Sequence, residues 1–164
     1  MKKMIIKQKG IIQFELKDVT NKHKLQSSWK RTAMVKIDGD ITHYYAWFLE
    51  KRYGLILNKP LRGAHITFIN DRASDMNDKW DEVKTKWNGK EIEISLSVDI
   101  RTSGEHWWLN IPEEDRTELH NIRAELGLGR PHWGLHLSIG YAAHLQLEQS
   151  KYIHNLIINK LANE

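Results

Sequence analysis

The sequence predicts an α+β domain containing an internal duplication, and three observations lead there. Segments that alternate apolar and polar residues are interleaved with segments of helical spacing along the whole chain. One short pattern occurs twice, as Lys59-Pro60-Leu61-Arg62-Gly63-Ala64-His65-Ile66-Thr67 and as Arg130-Pro131-His132-Trp133-Gly134-Leu135-His136-Leu137-Ser138. Each copy also follows a helical segment closed by glycine, Tyr53-Gly54 and Leu126-Gly127, so strand, helix and histidine strand recur in order.

Taken along the chain, residues 4–16 alternate around Gly10 and read as an N-terminal hairpin or an edge strand. The polar stretch Asp18 to Ser28 reads as a loop. Thr32 to Ile37 is the first core strand, followed by a helix from Asp38 or Asp40 to about Tyr53, with Gly54 as its stop. Pro60 introduces the first histidine strand. A second helix is expected from Ser74 or Asp75 to Trp87, where Trp80, Val83 and Trp87 form one apolar face. Residues 90–100 alternate cleanly as a strand, Thr102 to Glu105 turn, and His106 to Ile111 return as the second strand of a hairpin. Pro112 and the acids after it begin a helix running to Leu126. After the second histidine strand a terminal helix spans roughly 146–161, its buried stripe being Ile153, Leu156, Ile157 and Leu161. The halves cover roughly 30–75 and 90–145 within a single domain, 1–164.

Composition limits the chemistry. Without cysteine there is no disulfide, thiol nucleophile or thiolate metal site. Lys and Arg exceed Asp and Glu by 25 to 21, a net charge of +4, which suits a polyanionic ligand without demanding one. Lys7, Gln8 and Lys9 break the apolar run a signal peptide needs, and no segment is long enough to span a membrane. A cytoplasmic protein with no membrane partner is expected. No H-E-x-x-H spacing, P-loop or Rossmann glycine pattern is visible, so neither a metal nor a cofactor is expected.

Within each repeat the strand period places His65 with Thr67, and His136 with Ser138, on one face, while Ile66 and Leu137 point to the core. A histidine titrates near neutrality, so two can serve together as base and acid. Cleavage of a phosphodiester beside a free 2′-hydroxyl requires that pair, one taking the hydroxyl proton and one protonating the leaving oxygen. The hydroxyls of Thr67 and Ser138 would donate to the non-bridging oxygens. A lone His-x-hydroxyl strand says little; two in one frame point to a catalytic pair.

These paired motifs, His65-Ile66-Thr67-Phe68 and His136-Leu137-Ser138-Ile139, resemble the signature of the two-histidine (2H) phosphoesterase superfamily. The flanking Arg-Tyr-Gly-Leu-Ile-Leu, His-Trp-Trp-Leu and Arg-Ala-Glu-Leu-Gly-Leu look like its phage branch, which includes an enzyme that degrades the cyclic oligonucleotide signals of bacterial CBASS immunity. The resemblance covers about residues 30–145. It implies two lobes, each an antiparallel sheet with outer helices, around a cleft lined by the histidine strands. It also implies His65 and His136 as the acid-base pair, with Thr67 and Ser138 as phosphate-binding hydroxyls. Which histidine is the base stays open.

The expected activity is metal-independent cleavage of 3′–5′ linkages in cyclic di- or trinucleotides, an anti-CBASS function acting in the host cytoplasm. Hydrolysis of 2′,3′-cyclic phosphates at RNA ends and non-catalytic nucleotide or RNA binding are the alternatives. Arg62 and Arg130, just upstream of the motifs, are candidate phosphate ligands. Trp107, Trp108 and Tyr141 are candidate stacking platforms for bases, with one of the consecutive tryptophans expected in the core. His43, His120 and His154 read as surface histidines; His106 and His144 stay open between surface and site, and His132, standing where Leu61 stands in the first copy, is given no role by the repeat.

Overall fold

The computed structural model describes residues 3–15 and 31–163, with the backbone alone at Arg72 and Asp75, and the expected loop at 18–28 lies outside them. The first strand, β1 (Ile5–Phe14), is followed by β2 (Ala33–Ile37), helix α1 (Asp40–Tyr53), the short β3 (Leu57–Asn58) and β4 (His65–Ile69). After a 3-10 turn come α2 (Trp80–Trp87), β5 (Glu91–Ser97), β6 (Ile100–Thr102) and β7 (His106–Asn110). Then α3 (Thr117–Glu125), β8 (His136–Ala142) and α4 (Leu147–Ala162) complete an α+β arrangement. The strands form two antiparallel four-stranded sheets, ordered β4-β2-β1-β5 and β3-β8-β7-β6.

One apolar cluster serves both sheets. Phe14, Ile66, Phe68 and Leu96 of the first sheet belong to it together with Leu109 and Leu137 of the second. The alternation in the sequence sets this directly: Ile66 and Leu137 are fully buried, and the histidines beside them are only half-buried.

Several expectations are corrected. Residues 5–14 form one unbroken strand rather than a hairpin, and β1 lies inside its sheet, between β2 and β5. Gly10 makes no turn. It sits opposite Ile37 on one side and Ile92 on the other, where an added Cβ would lie 2.4 Å from Cγ1 of Val35. The glycine permits the close approach of β2. The alternating run 90–100 is two strands: β5 pairs with β1, and only β6 forms the hairpin with β7. With β3 in the second sheet and β5 in the first, the sheets do not follow the divisions 30–75 and 90–145.

Three helices differ from expectation: α2 in its start, α3 because a separate 3-10 turn at Glu113–Asp115 precedes its start at Thr117, and α4 in its buried stripe. Residues Arg72–Met76 make a 3-10 turn and α2 begins only at Trp80, because the Ser74 hydroxyl is turned to the carbonyls of Arg31 and Asp71 rather than to a helix terminus. In α4 Ser150 and Ile153 are buried, whereas Leu156 and Leu161 are exposed. The helix meets the core through Ile153 and, partly buried, Ile157, and its last turn extends beyond it.

The two histidine strands are built alike. His65 faces Lys36 and Thr67 faces Met34 across the ladder, after which β4 carries one extra residue before Ile69 meets Ala33. On β8, His136 faces Asn110 and Ser138 faces Trp108, and again one extra residue precedes the pairing of Gly140 with Trp107. Each strand therefore bulges at the same place, one residue past its hydroxyl.

Candidate active site

Strands β4 and β8 lie beside each other, and the positive charge of a protonated His136 reaches His65. The repeated glycines act on the histidines through their carbonyls. Nδ1–H of His65 donates to Gly63 O at 2.8 Å, and Nδ1–H of His136 donates to Gly134 O at 2.6 Å. A carbonyl can only accept, so this contact fixes the hydrogen on Nδ1 and leaves the lone pair of each neutral ring on Nε2. Gly63 reaches its position with φ of +67°, a conformation glycine adopts without strain.

Surroundings divide the pair. Burial lowers the pKa of His65, the hydrogen bond to Gly63 opposes this, and the charges of Lys36, Arg62 and His136 lower it further. Lys36 is the cross-strand neighbour of His65, and its ammonium donates to the carbonyl of Arg62. Beside this half a cavity of about 350 Å³ is lined by Lys36, His43, Lys59, Pro60 and Gly63 among others. The first half-site is cationic.

The second half is aromatic. The His106 ring lies between Trp108, 4.9 Å away at 30°, and Tyr141, 4.6 Å away at 10°. His136 meets the edge of His106 at 5.3 Å and is tilted to Trp108 at 6.0 Å. The Trp108 indole donates to Asn110 Oδ1 at 2.9 Å, and Asn110 is the cross-strand neighbour of His136. His106 Nε2 lies 2.7 Å from Ser138 Oγ. Burial, with the charge of His136 behind it, pushes the pKa of His106 down to about 4.

Of the residues singled out in the sequence, the structure brings His65, Thr67, Arg62, His136, Ser138, Trp108 and Tyr141 to this region. Two expected ligands are elsewhere. Arg130 pairs with Glu113 at 3.3 Å on the surface, where both side chains are largely exposed. Trp107 is fully buried, its indole donating to Ser150 Oγ at 2.8 Å, because alternation turns it to the core face opposite Trp108. It is a packing residue.

Three contributors carry no signal in the sequence that would single them out. His106 shares a face with Trp108 two residues on, and Lys36 is set opposite His65 by a register that no local pattern reveals. Arg123, only 1% exposed, donates through Nη1 and Nη2 to Asp71 at 2.7 and 2.9 Å. It also donates to the carbonyls of Phe68 and Gly129 and lies over the Trp133 ring, whose indole donates to Thr67 O at 3.3 Å. Burial would raise the Asp71 pKa, but the Arg123 hydrogen bonds and charge hold it below the usual carboxylate range. This network ties α3 and the loop entering β8 to the end of β4.

Among the described residues no three His, Cys, Asp or Glu side chains are grouped to hold a metal ion, and no helix is long and apolar enough to cross a membrane. Compared with known proteins, the chain matches no family model, no curated protein and no solved structure.

Proposed function

We propose that the chain is a 2H phosphodiesterase that cleaves 3′–5′ linkages of cyclic di- or trinucleotide immune signals without a metal, a phage anti-CBASS activity. One observation carries the reading: two strands in the same ladder register, with the same bulge, each present a half-buried histidine pinned through Nδ1 and a hydroxyl two residues on. That equivalence also supports a duplicated, two-lobed origin, with strands exchanged between the sheets.

The surroundings favour a division of labour. Burial first, and then the charges of Lys36 and Arg62, disfavour a positive charge at His65, which makes it the base: its Nε2 takes the proton of the 2′-hydroxyl. His136 stands instead beside the rings of Trp108 and His106, which leaves the role of acid to it. As the 2′-oxygen bonds to phosphorus, the bond from phosphorus to O5′ breaks, and Nε2–H of His136 protonates O5′. Thr67, Ser138 and the Arg62 guanidinium face the charge on the non-bridging oxygens. The substrate supplies its own nucleophile, so the scheme requires no metal. Trp108 and Tyr141 provide stacking surfaces for a base at the second half-site.

Incubation in EDTA with cyclic dinucleotides, cyclic trinucleotides and an RNA oligomer ending in 2′,3′-cyclic phosphate tests this. Linearisation of a cyclic oligonucleotide, and none of its 2′-deoxy analogue, is expected. Turnover of the RNA end alone would move the assignment to RNA-end hydrolysis, and intact substrate in every arm would defeat the enzymatic reading.

A further inference from the structure

His106 is the first residue of β7 and belongs to neither copy of the repeat. Facing it are Trp108 on its own strand and His136, Ser138 and Tyr141 on β8. Its closest polar contact is to the phosphate-facing hydroxyl of the second half-site, 2.7 Å from Nε2 to Oγ. In the equivalent ladder position of the first sheet, one residue before Ala33, stands Thr32, which is fully buried and carries no imidazole. The contact is thus an asymmetry added to the shared plan.

We infer that His106 is a positioning residue that donates its Nε2–H to Ser138 Oγ, so that the serine hydroxyl hydrogen is turned to the non-bridging oxygen of the bound phosphate. The inference rests on the phosphodiesterase reading above. A serine hydroxyl has one hydrogen. Were it given to His106, Ser138 would meet an anionic oxygen with lone pairs. With Nε2–H as donor, the chain runs from imidazole to hydroxyl to phosphate, each bond polarised in the same sense by the anion at its end. The ring must be neutral to avoid competing with the protonated His136 beside it, and burial keeps it so. Stacking between Trp108 and Tyr141 fixes the ring plane, leaving rotation about the stack to be set by the serine.

Two substitutions separate this role from packing. His106→Phe keeps an aromatic ring in the stack and removes the donor; His106→Gln restores an N–H at similar reach. The phenylalanine variant should lose roughly tenfold or more in kcat, as expected for one hydrogen bond to a charged centre, with KM little changed. The glutamine variant should recover part of that loss. In a Ser138→Ala background His106→Phe should cause no further fall, because the two residues act in series. Wild-type kcat in His106→Phe, or an equal loss with and without Ser138, would overturn the inference. Nitrogen NMR of the imidazoles decides it apart from turnover. At neutral pH His106 should be the Nε2–H tautomer, with an Nε2 resonance that moves in Ser138→Ala, and an Nδ1–H tautomer would overturn it. A wild-type protein that cleaves no cyclic oligonucleotide would defeat the phosphodiesterase reading, while the tautomer would still report on His106.

Discussion

The two half-sites share a backbone and differ in everything around it. His65 and His136 have the same ladder position, the same bond to the glycine carbonyl two residues back and the same following bulge. Yet His65 stands among Lys36 and Arg62, whereas His136 stands among Trp108, His106 and, through His106, Tyr141. Even the loops diverge: the position of Arg62 in the first copy is Trp133 in the second, which packs under Arg123. The repeated backbone places two imidazoles, and the unrepeated neighbours give each different surroundings. On the proposed reading that difference assigns base and acid, since a fully symmetric pair would have no such preference.

Removing each imidazole in turn tests the difference between the halves most severely. His65→Ala and His136→Ala should each lower kcat by about 10²- to 10⁴-fold, the usual worth of a positioned acid or base. The losses should respond differently to the substrate. A nucleoside 3′-phosphodiester with a nitrophenolate leaving group needs no proton donor, so it should restore much of the rate to His136→Ala and little to His65→Ala. The reverse pattern would exchange the roles. Equal rescue would remove the distinction between the halves.

Next in size is the Arg123 network, which joins the two halves mechanically. Arg123→Met leaves the Asp71 carboxylate and the Phe68 carbonyl without their donor; loss of one partner of a fully buried pair costs about 3–5 kcal/mol, and the partial exposure of Asp71 puts the expected loss at or below the lower end of that range. Urea unfolding should show that loss. The Asp71 pKa is lowered in the folded state, so its contribution is present above the unfolded carboxylate value and disappears as pH falls through the folded one. In the Asp71→Asn variant that part of the acid-induced decline in stability should be missing.

The aromatic half should be sensitive to what the substrate carries. Trp108→Ala or Tyr141→Ala, which remove rings stacked on His106, should weaken binding by about 1–3 kcal/mol if a base stacks there. The loss should appear in KM for a cyclic dinucleotide. It should be smaller for a substrate without a second base, and an identical loss for both would remove base stacking from the second half-site.

The frame that the two halves share is legible in the amino-acid sequence, and much of what sets them apart is hidden for physical reasons. Period-two alternation on one strand is a local property, so the shared face of His65 and Thr67, or of His136 and Ser138, is written in adjacent residues. The same holds for the end of α1, where Gly54 adopts the left-handed conformation its position suggests. Cross-strand partners are not local. Nothing near Lys36 announces that register will set it against His65, and Arg123 looks like any helical arginine until the fold brings Asp71 and Phe68 to it. Gly10 misleads because a glycine in an alternating run marks a turn or a close approach with equal ease, and only the presence of Val35 across the ladder decides. Arg130 misleads through the repeat itself, which preserves the loop sequence while the side chain pairs with Glu113.

The smallest expected effect bears most directly on the cationic half. Arg62→Met removes one of the charges that lower the His65 pKa and leaves burial, the larger cause, in place. The base should then hold its proton to a higher pH, so the acidic limb of the pH–rate profile shifts upward in Arg62→Met. At the plateau the loss in kcat/KM should be about tenfold or less, from the missing guanidinium near the phosphate. Stability should respond with a definite sign. A histidine whose folded pKa lies below its unfolded value of 6.5 costs the folded state stability as pH falls through that interval, because the unfolded chain takes up the proton first. Narrowing the interval should make melting temperatures decline less steeply between neutral and mildly acid pH in Arg62→Met than in the parent. The matching change in the second copy, Trp133→Met, should leave the acidic limb where it was, since Trp133 carries no charge and packs against Arg123. If both variants moved the limb alike, the two half-sites would be electrostatically equivalent, and the assignment of base and acid would lose its foundation.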